Sequence, residues 1–202
     1  MITIGLTGSI GMGKSTVSAM FAEFGAAIWD ADAAVHRLYA KNGAAVDPLK
    51  ERFPQAVVDA AVDRNKLSEL VFGDPVAMQA LESIVHPLVA ADRFSTWQKA
   101  TEAASPAIVL DIPLLFETGG DQSCDVTVVV SAPTDVQRTR VLARPNMTVD
   151  KFEAILKKQM PDEEKQQRAD YVIPTGGSID ETRDAVKHVW NDILKKIDTS
   201  ND

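Results

Sequence analysis

The sequence of 202 residues lacks the features that crosslink small secreted domains or anchor a chain in a membrane. Its one cysteine, Cys124, excludes an intramolecular disulfide and fits a reducing compartment. No apolar run approaches the roughly 18 residues needed to span a bilayer. The first residues, Met1–Ile4, carry neither a basic leader nor a cleavage-site pattern. We therefore expect a cytoplasmic protein without a membrane partner.

Basic residues are also scarce, because 21 Lys and Arg stand against 29 Asp and Glu and leave a formal net charge of −8. Binding along a nucleic-acid backbone requires clustered Lys and Arg, so the charge argues against a nucleic-acid partner. A small phosphorylated ligand needs only a local positive pocket and is compatible with this charge. The length and the 45% share of hydrophobic residues fit one globular domain, 1–202.

Short apolar runs alternate with amphipathic segments, which is typical of α/β proteins with a parallel sheet. The runs predict buried strands at Ile2–Leu6, Ala26–Trp29, Ala107–Ile112, Val126–Val130 and Tyr171–Ile173. Helices are predicted at Lys14–Phe24, 134–144 and 148–159, and after a capping box at Ser178–Glu181.

The stretch from about Ala33 to Ala104 is almost entirely helical in pattern and is too long for an ordinary crossover between strands. We expect it to lie outside the sheet and to cover its ligand end. Because proline lacks an amide hydrogen and restricts the residue before it, Pro87 predicts a kink or a helix boundary at His86.

Residues Gly8 to Ser15 read GSIGMGKS and fit the phosphate-loop pattern G-x-x-x-x-G-K-[ST] without a mismatch. A predicted strand precedes the loop and a helix begins at Lys14, as the motif requires. We expect Lys14 to bridge the β- and γ-phosphates and the Ser15 hydroxyl to bind Mg²⁺. The sequence thus predicts a nucleoside triphosphate site, formed by Gly8, Ser9, Ile10, Gly11, Met12, Gly13, Lys14, Ser15 and Thr16.

Acidic residues at strand ends are candidates for the chemistry beside this loop. Asp30 and Asp32 end the second predicted strand, where alternation would point both side chains the same way. One of them could accept a hydrogen bond from an attacking hydroxyl, and the alternative is an Asp-rich turn or a helix N-cap. Asp111 ends the third predicted strand, either as a group that supports Mg²⁺ or in a structural role.

Basic and imidazole side chains are further candidates. Arg138, Arg140 and Arg144 share a predicted helix, where they would offset charge on a transferring phosphoryl group or remain solvated. The three histidines lack the spacing of metal ligands. His86, which precedes Pro87, has a functional role or a packing role.

Five sequence blocks, in this order, resemble the dephospho-CoA kinase family over nearly the whole chain. They are LTGSIGMGKSTV at Leu6–Val17, WDADAAVHRL at Trp29–Leu38, the pair DRNKLSELVF at Asp63–Phe72 and LESIVHPLV at Leu81–Val89, LDIPLLFE at Leu110–Glu117, and RVLAR…KKQMPDEEK…ADYVI from Arg140 to Ile173. The loop alone indicates a P-loop nucleotide-binding protein, and the later blocks are much more specific.

The resemblance implies a P-loop kinase fold with a five-stranded parallel sheet of strand order 2-3-1-4-5, flanked by helices. It also implies a helical CoA-binding insertion at 36–100 and a lid at 138–160. The implied reaction moves the γ-phosphoryl group of ATP, with Mg²⁺, to the ribose 3′-hydroxyl of dephospho-CoA. We expect a monomer or a weak oligomer.

The family's site residues carry over to matching positions of this sequence. Asp32 falls at the catalytic-base position, and Arg140 matches a lid arginine that contacts phosphates. With Lys14 these residues form the implied catalytic set. Contacts to the substrate are implied for Asp32, His86, Pro113, Leu114, Glu117 and Arg140.

Two segments depart from the family pattern, namely Arg144-Pro145-Asn146 in the lid and Pro174-Thr175-Gly176-Gly177 after the fifth predicted strand.

Three other functions stay open at this point. One is a small P-loop kinase for a nucleoside monophosphate or a sugar acid, which the later blocks disfavour. A GTPase switch should carry N-K-x-D, but Asn65-Lys66 is not followed by the aspartate. A nucleic-acid-dependent ATPase conflicts with the net charge.

Overall fold

The computed structural model describes residues 1–199, with side chains as far as Lys195. Its contacts group the chain into two compact units. The sheet unit comprises Met1–Trp29 and the chain from Ala100 onward, and the helical unit comprises Asp30–Lys99. The helical unit nearly coincides with the predicted insertion 36–100, whose role in CoA binding remains a prediction.

The strands are β1 (Ile2–Thr7), β2 (Ala27–Asp30), β3 (Val57–Val58), β4 (Ala61–Val62), β5 (Ala107–Asp111), β6 (Val126–Ser131) and β7 (Tyr171–Pro174). The α-helices are α1 (Lys14–Glu23), α2 (Ala31–Tyr39), α3 (Val46–Arg52), α4 (Arg64–Val71), α5 (Pro75–Glu102), α6 (Thr134–Leu142), α7 (Val149–Leu156), α8 (Asp162–Arg168) and α9 (Ile179–Thr199).

Five strands form one parallel sheet with the order β2-β5-β1-β6-β7. Counted without the short pair β3 and β4, this is the predicted order 2-3-1-4-5, so the predicted fold class is confirmed. The central strand β1 sets Leu6 beside Asp111 of β5 and beside Val128 of β6. Because β1 has a neighbour on each side and its Ile4 and Leu6 side chains are fully buried, its carboxyl end is a rigid base for the loop that follows.

Helices α1 and α9 pack on the apolar core of the sheet unit. The rings of Phe21 and Trp190 meet edge to face, with centroids 6.1 Å apart. The predicted capping box is present at the start of α9, where the Glu181 amide donates to Ser178 Oγ at 3.2 Å and the Ser178 amide donates to Glu181 Oε2 at 2.7 Å. These two hydrogen bonds fix the first turn of α9, which begins a short connection after the end of β7.

The helical unit has its own apolar core, formed by residues between Leu38 and Val85. It also contains the antiparallel pair β3–β4, which the helical pattern did not predict. Each strand is two residues long, too short to show alternation, and the turn between them is made by Asp59 and Ala60 at positive φ. This hairpin corrects the expectation of an almost entirely helical segment.

Helix α5 continues through Pro87, so of the two predicted alternatives the helix boundary at His86 is wrong, and the kink stays a prediction. An interior proline costs a helix about 3 kcal/mol. Packing offsets this cost, because Val85 is buried and both Ile84 and Leu88 lie against the core of the helical unit. The side chain of His86 is exposed.

The segment after β6 differs from expectation in three places. Helix α7 ends at Leu156, three residues before the predicted end. Helix α6 ends at Leu142, two residues before the predicted end, so Arg144 lies outside the helix that carries Arg140. Helix α8 was not predicted, because its sequence DEEKQQR has no apolar stripe. The predicted lid, 138–160, takes in the end of α6 and all of α7, and its movement remains a prediction.

Candidate phosphate-binding site

The loop Gly8–Gly13 connects β1 to α1. Gly11 and Gly13 have φ angles of 80° and 85°, which side chains of L-residues disfavour. The carbonyl of Gly13 accepts the amides of Thr16 and Val17 at 3.1 and 3.2 Å, and no side chain caps the helix at this residue. The N-terminus of α1 is therefore left open to an anion.

Lys14 begins α1 and forms an ion pair with the carboxylate of Asp111. The side chain of Lys14 is 16% exposed, whereas that of Asp111 is 2% exposed. Asp111 is the last residue of β5, next to the strand that leads into the loop. The structure thus brings together two residues that the sequence proposed separately for the phosphates and for Mg²⁺.

Arg140 is joined to the loop through Thr175, a residue that sequence reasoning did not select. The Arg140 guanidinium donates to the Thr175 carbonyl at 2.7 Å and to its hydroxyl at 3.4 Å. The Thr175 hydroxyl in turn donates to the carbonyl of Met12 at 2.7 Å. The only sequence signal was the position of Thr175 two residues after a predicted strand, in a segment that departs from the family pattern.

A cavity of about 340 Å³ opens beside the loop and the start of α1. Its lining comes from the loop, from α6 and the residues after it, and from the chain between β7 and α9, and consists of Gly11, Gly13, Thr16, Arg140, Arg144, Thr175, Gly177, Ser178, Ile179 and Thr182. This lining holds two arginines and no carboxylate. The exposed Arg138 is not part of it, so it fits the alternative of a solvated helix arginine.

A larger cavity of about 920 Å³ is lined by Ser9 and Met12 of the loop, by the end of β6 and by the chain around α8. Its lining includes Asp162 and Glu163 and no lysine or arginine. Two carboxylates repel a triphosphate, so charge favours the smaller cavity over the larger one. The smaller cavity is therefore our candidate nucleotide site.

Glu117, predicted to contact substrate, is engaged inside the sheet unit. Its Oε1 accepts the Met160 amide at 2.7 Å and the Lys165 ammonium at 2.9 Å. Lys165 is fully buried and also donates to the carbonyl of Pro113 at 3.1 Å. Burial raises the pKa of Glu117, but the hydrogen bonds from Lys165 and Met160 outweigh burial and hold the pKa below its ordinary value. This carboxylate joins the chain after β5 to α8. Leu114, also predicted to contact substrate, is 38% exposed.

The paired aspartates lie differently from the strand alternation that we expected. Strand β2 ends at Asp30, whose carboxylate caps α2 by accepting the Ala33 amide at 2.8 Å. Asp32 lies in the first turn of α2 with its side chain exposed. The N-cap alternative is thus correct for Asp30. Helix α2 begins at the next residue, so Asp32 lies in the helix and not in the strand. Asp32 and His86 belong to the helical unit, whereas the other predicted site residues belong to the sheet unit.

A family model described as dephospho-CoA kinase matches residues 2–181 of the chain. The chain belongs to the dephospho-CoA kinase family. A Mesorhizobium japonicum protein named dephospho-CoA kinase is 51% identical over 193 residues, which cover 96% of this chain and 97% of that protein. The resemblance inferred from the five blocks is therefore confirmed.

Two solved structures extend the match to three dimensions. One from Thermus thermophilus is 38% identical, with a TM-score of 0.81, and covers 95% of this chain and 97% of its own. The dephospho-CoA kinase of Campylobacter jejuni is 26% identical, with a TM-score of 0.69, and covers 96% and 98%. As a member of the dephospho-CoA kinase family, the chain is a kinase, an ATP-dependent phosphotransferase. No helix in the described part of the chain is long and apolar enough to cross a membrane.

Proposed function

We propose that the chain transfers the γ-phosphoryl group of ATP to the ribose 3′-hydroxyl of dephospho-CoA and so forms coenzyme A. Membership in the dephospho-CoA kinase family supports the choice of acceptor. One structural observation supports the position of the ATP site. The cavity beside the phosphate loop has a lining with two arginines and no carboxylate, in a chain of net charge −8.

The triphosphate would lie along the loop, within reach of the amides of Gly8–Thr16. Lys14 leaves Asp111 and bridges the β- and γ-phosphates. Arg140 and Arg144 line the same cavity and offset charge that spreads over the transferring group. In the family's arrangement Arg140 comes from the lid, and closure of that lid would exclude water from the reaction.

The oxygen atoms near the loop fit Mg²⁺. Ser15 offers an exposed hydroxyl at the start of α1, and Asp111 offers a carboxylate at the end of β5. Among the described residues, no group of three or more His, Cys, Asp or Glu could hold a metal alone. This suits Mg²⁺, which takes few protein ligands and the rest from phosphates and water. When bound, the ion neutralises charge on the phosphates.

On the acceptor side, Asp32 orients the ribose 3′-hydroxyl. The bond between that oxygen and the γ-phosphorus forms while the bond to the β-phosphate oxygen breaks, and the hydroxyl proton passes late to Asp32. His86, Pro113 and Leu114 remain proposed substrate contacts, as does the helical insertion for the CoA moiety. For Glu117 the contacts favour a supporting role, because its carboxylate holds the Pro113 segment through Lys165.

An acceptor assay tests this function. Release of ADP from ATP is measured with dephospho-CoA and, in parallel, with AMP, shikimate, gluconate or no acceptor. We expect stimulation by dephospho-CoA alone, with the product phosphorylated at the ribose 3′ position. Stimulation by AMP but not by dephospho-CoA would contradict the proposal.

Replacing Asp32 with Asn tests the orienting carboxylate. We expect kcat to fall by about 10²–10⁴-fold, the usual contribution of a group that accepts a proton, with ATP affinity unchanged. Asp30→Asn is the matched control, because Asn caps a helix as well as Asp does, and its loss of kcat should be far smaller. Near-normal turnover in Asp32→Asn would remove this residue from the mechanism.

A further inference from the structure

The peptide unit of Ile10, in the middle of the phosphate loop, is held by two glutamine side chains. Gln137 Nε2 donates to the carbonyl of Ile10 at 2.8 Å. The amide of Ile10 donates to Gln159 Oε1 at 3.0 Å. Gln137 lies on α6 and is 4% exposed, whereas Gln159 follows α7 and is partly buried. Two distant parts of the chain therefore meet at one residue of the loop.

Hydrogen-bonding chemistry fixes which end of each glutamine faces the loop. A backbone carbonyl accepts only from a donor, so Gln137 presents its NH₂ group, and a backbone amide needs an acceptor, so Gln159 presents its oxygen. An apolar side chain of the same size can provide neither bond. The arrangement thus requires a side-chain donor at position 137 and a side-chain acceptor at position 159, and glutamine supplies both.

The packing around Ile10 leaves the loop little freedom. A Cβ atom on Gly11 would lie 2.4 Å from Val141 Cγ2 and 3.2 Å from the carbonyl of Gln137, so the loop backbone lies directly against α6. On the other side, the amide of Ala132 donates to Met12 Sδ at 3.1 Å. The two glutamines add directional hydrogen bonds to a segment that is already closely packed.

We propose that Gln137 and Gln159 are positioning residues that hold the phosphate loop in its binding shape before ATP arrives. The Ile10 amide then serves Gln159 rather than a phosphate oxygen, which takes Ile10 out of the set of loop amides predicted to contact phosphate. A preformed loop loses less conformational freedom on binding and so binds more tightly. The inference rests on the proposed function only in taking ATP as the ligand.

Gln137→Met and Gln159→Met, made separately in the full chain, test this role because methionine keeps the size and removes the hydrogen bonds. Gln166→Met is the matched control, since Gln166 binds Ser131 at 3.0 Å and Asp162 at 2.6 Å in the same part of the fold. ATP affinity is measured by calorimetry with Mg²⁺ and without an acceptor. Hydrogen exchange of the Gly8–Ser15 amides is measured in the free protein.

We expect each loop variant to bind ATP about fivefold to tenfold more weakly, the effect of losing one buried hydrogen bond. The loop amides should exchange faster in both variants, while Gln166→Met stays within about twofold of wild type in affinity. Affinity for dephospho-CoA should not change, because neither glutamine belongs to the proposed acceptor site.

Unchanged ATP affinity and loop exchange in both variants would overturn the proposal. Tighter ATP binding by Gln159→Met would also overturn it, because Gln159 would then occupy a place that a phosphate takes. Thermal unfolding separates loss of the fold from loss of positioning. If Gln137→Met does not fold, the test rests on Gln159→Met, because Gln159 is partly exposed and its replacement perturbs the core less. No acceptor is needed, so a chain that binds ATP and fails to phosphorylate dephospho-CoA contradicts the proposed function alone.

Discussion

Two regions of the sheet unit each pair a lysine with a carboxylate from the chain around the end of β5. At the phosphate loop, Lys14 meets Asp111 and keeps 16% of its side chain exposed. Near α8, Lys165 meets Glu117, has no exposed surface and also donates to the carbonyl of Pro113. The residue types are the same, but the surroundings of the two ammonium groups differ.

The difference shows that burial decides whether a paired lysine can bind a ligand or only stabilises the fold. A partly exposed lysine can exchange one anionic partner for another, so a phosphate can take the place of Asp111. A fully buried ammonium that left Glu117 would lose the carboxylate paired with it in a medium that solvates it poorly. Lys14 is therefore suited to binding, whereas Lys165 holds two segments of the chain together.

Lys14→Met should have the largest effect on activity. We expect kcat/KM for ATP to fall by about 10²–10³-fold, as when one preorganised donor to a transition state is removed. Lys187→Met, at an exposed position of α9, is the control for loss of a positive charge. An activity within a factor of two of wild type would show that Lys14 is no more than a structural partner of Asp111.

Lys165→Met should affect stability more than chemistry. We expect the free energy of unfolding to fall by about 3–5 kcal/mol, because the change leaves Glu117 without its cation in a largely buried site. Urea unfolding measures this loss, and ATP affinity of the folded fraction should remain close to wild type. A variant that keeps its stability and loses ATP binding would reverse the comparison between the two lysines.

Glu117→Gln should change the pH dependence of stability. The pKa of Glu117 lies below its ordinary value of 4.5 in the folded chain, so its carboxylate stabilises the fold above pH 4.5. That contribution is lost as the pH falls through the lowered pKa. We expect the stability difference between wild type and Glu117→Gln to be constant near neutral pH and to shrink below pH 4.5, as measured by urea unfolding at several pH values. A difference that does not change with pH would exclude this ion pair as its source.

The smallest effect is expected for an exposed pair, Glu23 and Arg183, whose side chains are 54% and 42% exposed. The hydrogen bond and charge of Arg183 lower the pKa of Glu23, but water screens both groups. Glu23→Gln should leave the unfolding midpoint within experimental error of wild type. A loss comparable to that of Glu117→Gln would mean that burial does not rank these pairs.

Much of the fold could be predicted because its signals are local. Apolar runs predicted the strands to within two residues at either end, and the phosphate-loop pattern gave the residues between β1 and α1. Signals failed where an element is short or lacks apolar periodicity, as in the β3–β4 hairpin and α8. At Pro87 the local signal was present, and packing within the helical unit overruled it.

The candidate site was predictable only in part. Lys14, Asp111 and Arg140 were selected from their positions, but no sequence pattern predicted that Arg140 donates hydrogen bonds to Thr175. Gln159 and Lys165 lay within a block that carried the family resemblance, with no role attached to either.

The sequence by itself determined the strand positions and the phosphate loop, because these depend on residues close together along the chain. Its five blocks also indicated the family, and the strand order was implied by that resemblance. Only the tertiary structure decided which lysine stays accessible and which side chains hold the loop. Lys14 and Asp111 are 97 positions apart, and Ile10 and Gln159 are 149 apart. Such partners are chosen by the folded backbone, because burial and hydrogen-bond geometry arise only when distant segments are brought together.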